Sequence, residues 1–266
     1  MLKAPFAASL LAAAAVSAET VFLAEANNGF FAPFTPFNTA NLIYGDSGWL
    51  TGPGGAPVGL GRMTLKLAVY NAPLAGTTDI VFTFNDGDPS GLVFGPGTKL
   101  FQTTVFSVAL PPTEPFGSAF LEVDIELPNV MTKGNFNNIG WSVRLENYAY
   151  EGDFGFQVSN CQGQLVGYYT NNASWSQNAG ASWGLFAFGQ DPCLEVANYA
   201  VTIERYVCRG DLDDSGTVDA GDIGSLLLLF GDCPGGVPGC PGDLDGSGTV
   251  DAGDIGSLLL LFGPCG

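Results

Sequence analysis

The stretch "GDLDDSGTVDAGDIGSLLLLFG" (residues 210–231) returns as "GDLDGSGTVDAGDIGSLLLLFG" (residues 242–263), and the copies differ only where Asp214 gives way to Gly246. In the first copy Asp211, Asp213, Ser215, Thr217, Asp219 and Asp222 stand at loop positions one, three, five, seven, nine and twelve, with Gly216 at six. The second copy repeats this with Asp243, Asp245, Ser247, Thr249, Asp251 and Asp254 around Gly248. This is the spacing of a calcium loop. A chain wrapped around an ion presents alternate residues inward, and calcium takes six to eight oxygens at roughly 2.4 Å. Glycine at position six allows the sharp turn. Thr217 and Thr249 need offer only a backbone carbonyl, so Val218 and Val250 are free to point into the module. Magnesium resists dehydration and suits such a loop less well. The expectation is two Ca2+ ions.

An apolar run follows each loop. In a helix Ile223, Leu226, Leu227 and Phe230 share one face. Leu228 and Leu229, with Leu260 and Leu261, are left either as a partner surface or as packing against the rest of the chain.

A twice-repeated loop with a single helix, lacking the entering helix of a full EF-hand and closed by Asp at position twelve, resembles a type I dockerin. The resemblance covers residues 210–263. It implies a small α-helical calcium module that attaches its carrier to a cohesin-like or cell-surface protein. It also implies ligand roles for Asp211, Asp213, Thr217, Asp219 and Asp222, and for Asp243, Asp245, Thr249, Asp251 and Asp254. Three departures stand out: Ser215 and Ser247 replace the usual Asp, Ala220-Gly221 and Ala252-Gly253 replace a Ser-Thr pair, and the helices lack Lys and Arg.

Each repeat carries one cysteine at its loop entrance (Cys208, Cys240) and one at its helix exit (Cys233, Cys265). A bond within one repeat would span a helix of about eight residues, roughly 12 Å, whereas a disulfide needs Cα atoms within about 7 Å. A pseudo-two-fold pair puts each entrance beside the other exit. That gives Cys208–Cys265 and Cys233–Cys240, and leaves Cys161–Cys193 to pair upstream.

The chain has 266 residues, 26 acidic against 8 basic, no histidine and a formal charge of −18. Nucleic acid is not expected as a partner, because phosphate binding needs clustered Lys and Arg. Lack of histidine excludes Ser-His-Asp and Cys-His catalysis within the chain. Residues 1–18 read as a secretory signal, with one Lys, an apolar run and a small-residue site at Val16-Ser17-Ala18. The run is too short to span a bilayer, and no later stretch is long enough. Export to an oxidising compartment agrees with six cysteines and no CxxC.

Residues 19–207 carry short alternating segments between turn signals: 63–70, 78–84, 103–110, 119–127, 140–146, 155–159, 164–169, 182–188 and 199–207. "MTLKLAVY" sets Met63, Leu65, Leu67 and Val69 on one face. Nine or ten strands in this length predict an antiparallel β-sandwich of jelly-roll type, followed at 208–266 by the helical module.

Sugar-binding aromatics are candidates here. Trp141 and Trp183 lie in alternating segments and are assigned to the core. Trp49 and Trp175 lie in polar loops, open to either a glycan or a packing role. Glu122, Asp124 and Glu126 alternate with apolar residues, which puts them on one solvated strand face rather than in a catalytic pair. "NDGD" (85–88) is a turn or a cation site, and Asn172 fits the glycosylation pattern. The reading that results is a secreted, non-catalytic binding or structural protein, with a polysaccharide-active or carbohydrate-binding component of a cellulosome-like assembly as the alternative.

Overall fold

A computed structural model of the chain describes residues 19–26, 31–33, 41–50, 57–92, 97–133, 137–160, 162–170, 173–176, 178–187, 198–234 and 240–265. Residues 1–18, Cys161, Asn172 and Cys193 lie outside these, so the expected signal, the third disulfide and the glycosylation site do too. The described chain divides into two compact units, 19–206 and 207–265.

The first unit is antiparallel β-structure. Its strands are β1 (Thr20–Ala24), β2 (Phe31–Pro33), β3 (Ile43–Trp49), β4 (Gly59–Tyr70) and β5 (Gly76–Asn85). Then come β6 (Lys99–Leu110), β7 (Ser118–Met131), β8 (Asn138–Ala149), β9 (Asp153–Ser159) and β10 (Gln164–Val166). The last are β11 (Tyr168–Tyr169), β12 (Ala173–Ser176), β13 (Gly184–Phe186), β14 (Asn198–Tyr199) and β15 (Val201–Arg205). One sheet runs β10-β1-β15-β4-β9-β14, with β7 also on β4 and β2 also on β9. The other runs β13-β12-β3-β8-β5-β6, with β11 also on β3.

Period-two alternation builds the core. Met63, Leu65, Leu67 and Val69 of β4 are all fully buried, as their shared face predicts. Phe82 and Phe84 of β5 and Trp141, Val143 and Leu145 of β8 join them, so both sheets feed one apolar cluster. At its centre Trp141, Phe156 and Tyr199 lie with ring centroids 4.6–5.6 Å apart. Fully burying a large apolar side chain contributes roughly 1.5–3 kcal/mol.

Several segments depart from the sequence reading. The 164–169 run breaks into β10 and β11 at Gly167, whose φ of +74° lies outside the extended range of regular strands. The 199–207 run splits into β14, which pairs with β9, and β15, which pairs with β1 and β4. Trp49 ends β3 and Trp175 sits in β12, rather than in loops. Trp183 is half-buried and precedes β13, so it is not a core residue.

The second unit repeats one motif twice. Its elements are β16 (Thr217–Val218), α1 (Ala220–Leu228), β17 (Gly231–Asp232), β18 (Thr249–Val250), α2 (Ala252–Leu260) and β19 (Gly263–Pro264). Asp219 and Asp251 cap the two helices, and Asp222 and Asp254 complete each capping box. β16 pairs with β19, and β17 with β18, so each loop pairs with the segment leaving the other helix. Gly210 packs on Leu258 and Leu261, and Gly242 packs on Leu226 and Leu229, which is the same exchange. Disulfides join Cys208 to Cys265 and Cys233 to Cys240, with Cα atoms 5.5 and 5.6 Å apart.

Among the described residues the buried core of this unit is small: Val218, Leu226, Leu244, Val250 and Leu258. The helix faces are narrower than the sequence predicts. Ile223 and Leu226 turn inward, but Leu227 and Phe230 are 54 % and 45 % exposed. A nine-residue helix packed on a single partner helix buries a strip, not a broad face.

Candidate metal centre

Each loop opens on a glycine at positive φ, +98° at Gly210 and +93° at Gly242. The chain then folds back on its own carboxylates. Asp211 accepts hydrogen bonds from the N–H groups of Ser215 (2.9 Å) and Gly216 (2.8 Å). Asp213 accepts a second one from Ser215 N–H, at 3.1 Å. Gly216 turns the chain at φ +83°. The Ser215 hydroxyl donates to the carbonyl of Thr217 at 3.0 Å.

Asp222 reaches back from α1 and ties the loop shut. Its Oδ1 accepts from Leu212 N–H (2.6 Å) and Asp213 N–H (3.2 Å), and its Oδ2 from Asp219 N–H (2.8 Å). Asp222 and Asp254 have no exposed surface at all. Three N–H donors offset part of the cost of burying each carboxylate. The second loop repeats these bonds on Asp243, Asp245, Ser247, Thr249, Asp251 and Asp254.

The outcome is a convergence of oxygens. One carboxylate oxygen each from Asp211, Asp213 and Asp222 lie within 4.8 Å of one another, and so do those of Asp243, Asp245 and Asp254. Asp219 faces the same space. A Cβ placed on Gly221 would lie 2.7 Å from Asp213 Oδ2 and 3.1 Å from Asp219 Oδ1, with identical values at Gly253. Position eleven is therefore glycine because two carboxylates lean over it, a requirement that the sequence reading missed. Its signal was the glycine itself, one residue into a helix, where alanine would be the better helix former.

Among the described residues no Lys or Arg forms an ion pair with Asp211, Asp213 or Asp222. Arg209 instead donates to the carbonyl of Leu244. Like charges at such separations repel by about 3–4 kcal/mol per pair at an effective dielectric of about 20. Cys208 and Cys265 lie beside Asp211, but their sulfurs are bonded to each other and supply no thiolate. The donor set is thus all oxygen. It fits a hard cation and not zinc or copper.

The β unit disposes of its acids otherwise. Glu122, Asp124 and Glu126 stand on the exposed side of β7. They face β4, where Thr64 donates to Asp124 at 2.6 Å, Lys66 is the register partner of Glu122, and Arg62 pairs with Asp124 and Glu204. In the "NDGD" turn, Asp88 is buried and accepts from Ser90, Leu92 and Ser174, while Asp86 pairs with Lys133. These carboxylates hold a turn together.

No family model matches this chain, and no curated protein does. Two solved structures, of infectious bursal disease virus strains Gt and Gx, are similar at 10 % identity, with TM-scores of 0.24 and 0.23. Each covers 77 % of this chain, which in turn spans 43 % and 45 % of theirs.

Proposed function

We propose that this chain is a secreted, non-catalytic binding or structural protein. Its 19–206 unit is a β-sandwich, and its C-terminal unit is a dockerin-like module that binds two calcium ions and attaches the protein to a partner. The observation that carries this is the duplicated convergence of three aspartate carboxylates, with Asp219 or Asp251 alongside. In each loop Asp211, Asp213, Ser215, Asp219 and Asp222, or their counterparts, would hold the ion, helped by the Thr217 or Thr249 carbonyl. The ion supplies charge neutralisation. The chain's part is to fix the oxygens through Gly216, the capping box and the exchanged strands.

Three features support the reading. Five buried core residues among those described is few for a unit of this size. The second unit holds ten aspartates against Arg209 alone, so compaction needs a cation. Leu227–Phe230 and Leu259–Phe262 offer apolar surface for attachment, with Leu228 and Leu260 each 88 % exposed.

Calorimetric titration of the chelator-treated protein with calcium tests the proposal. Two ions are expected per chain, one in Asp222→Ala or Asp254→Ala, and none in the double variant. Full calcium uptake by the double variant would overturn it.

A further inference from the structure

The second sheet ends in an aromatic depression that neither the calcium loops nor the attachment surface uses. β12 lies between β3 and the edge strand β13, and Trp175 stands opposite Gly184. The indole of Trp175 leans over that glycine, where a Cβ would meet Nε1 at 2.8 Å. The turn between the strands is tied by its own side chains. Asn178 accepts from Ser182 N–H (2.9 Å) and from the Ser176 hydroxyl (2.9 Å), and its amide donates to Ser182 Oγ (2.8 Å). Gly180 donates its N–H to Ser176 Oγ at 2.9 Å, and turns at φ +88° beside the indole of Trp183.

The result is a depression of about 430 Å³ lined by Trp175, Ser176, Asn178, Ser182, Trp183 and Gly184. This volume falls within the range of small-molecule sites, about 300–1,000 Å³. Both tryptophans are half-buried, and neither indole N–H has a hydrogen-bond partner among the described residues. Among the described residues that line it, none is charged, on a chain with a formal charge of −18. A ligand matched to such a surface has apolar faces for the indoles, hydroxyls for the serine and amide groups, and no charge. We infer that this depression binds a neutral pyranoside glycan, with Trp175 and Trp183 taking the C–H faces of the sugar rings and Asn178 and Ser182 taking hydroxyls.

The site rests on residues of the first unit alone, so it stands or falls separately from the calcium reading. The test is calorimetric titration of the full chain with cellohexaose, mannohexaose and xylohexaose, and with polygalacturonate as an acidic control. Each titration is run in calcium and again in chelator. At least one neutral hexasaccharide binds and quenches tryptophan fluorescence, equally in both buffers, and polygalacturonate does not bind. Trp183→Ala, outside the strands, weakens binding at least tenfold at an unchanged melting temperature, and Ser182→Ala weakens it by a smaller factor. The inference is overturned if none of the three sugars binds at millimolar concentration. It is overturned equally if Trp183→Ala binds as tightly as the parent or if polygalacturonate binds as well as the neutral sugars.

Discussion

The Asp46 carboxylate accepts a hydrogen bond at 3.0 Å from the backbone N–H of Tyr199, 153 residues further along the chain. Asp46 belongs to β3 and Tyr199 to β14, so this buried bond ties one sheet to the other. The other oxygen of Asp46 accepts Ser47 N–H at 2.8 Å. Asp46→Ala leaves both N–H groups buried without that acceptor. The expected loss is about 1–3 kcal/mol per abandoned donor, read as a lowered denaturant midpoint for the β unit.

Burial pushes the Asp46 carboxyl well above the usual carboxylate range, against the pull of the Tyr199 and Ser47 N–H groups. The folded chain then holds this proton more tightly than the unfolded one. Its contribution to stability is complete below about pH 4 and is lost as pH rises toward the folded value. Asp46→Asn cannot titrate, so its stability curve should be flatter than the parent's on the alkaline side of pH 4. A variant curve that falls as steeply as the parent's would contradict this.

Asp79 behaves oppositely. The Ser107 N–H (2.7 Å) and then the Asn147 side-chain amide (2.6 Å) hold its carboxyl below the usual range. Ser107 and Asn147 both sit at positive φ, +53° and +48°, on the strands flanking β5. The carboxylate therefore stabilises two left-handed residues at once. Its contribution is present above about pH 4 and lost as pH falls through the lowered folded value. Asp79→Ala should destabilise the β unit at pH 7, and its gap from the parent should narrow as pH falls below about 4 in thermal melts.

Two glycines in each short helix should respond in opposite ways. At Gly221 and Gly253 a methyl group would strike the Asp213 or Asp245 carboxylate at 2.7 Å. Gly221→Ala and Gly253→Ala should each weaken calcium uptake at their own loop by at least tenfold. At Gly224 and Gly256 a Cβ meets nothing within 4 Å. Alanine there should leave calcium uptake unchanged and raise helix stability by roughly 0.5–1 kcal/mol.

The two tail disulfides close loops of very different length. Replacing Cys208 and Cys265 by Ser, across a separation of 57 residues, should cost about 4 kcal/mol in chain entropy. Replacing Cys233 and Cys240, across 7 residues, should cost about 2.5 kcal/mol. Denaturant melts of the two double variants at saturating calcium would rank them. The reverse order would show that strain or residual structure outweighs loop length.

The sequence by itself determined whatever depends on short-range periodicity. Alternation buried Met63, Leu65, Leu67 and Val69 and turned Glu122, Asp124 and Glu126 outward, because successive strand side chains point to opposite faces. The repeated spacing of acids about Gly216 and Gly248 located both oxygen clusters. Each loop is a local object of about twelve residues, and its Asp219 or Asp251 also caps the helix that follows. Tertiary structure decided the rest. "IYGDSGW" (43–49) has the composition of a turn, yet it is a strand paired on both sides. Gly45 and Gly48 are there because the Trp141 and Tyr168 carbonyls come within 2.6 and 2.1 Å of where a Cβ would stand. No window around residue 45 contains residue 141 or residue 168. The same holds for the Trp175–Trp183 depression. "ASW" occurs twice, at 173–175 and 181–183, but only the pairing of β12 with β13 and the Asn178 turn bring the two indoles to one place.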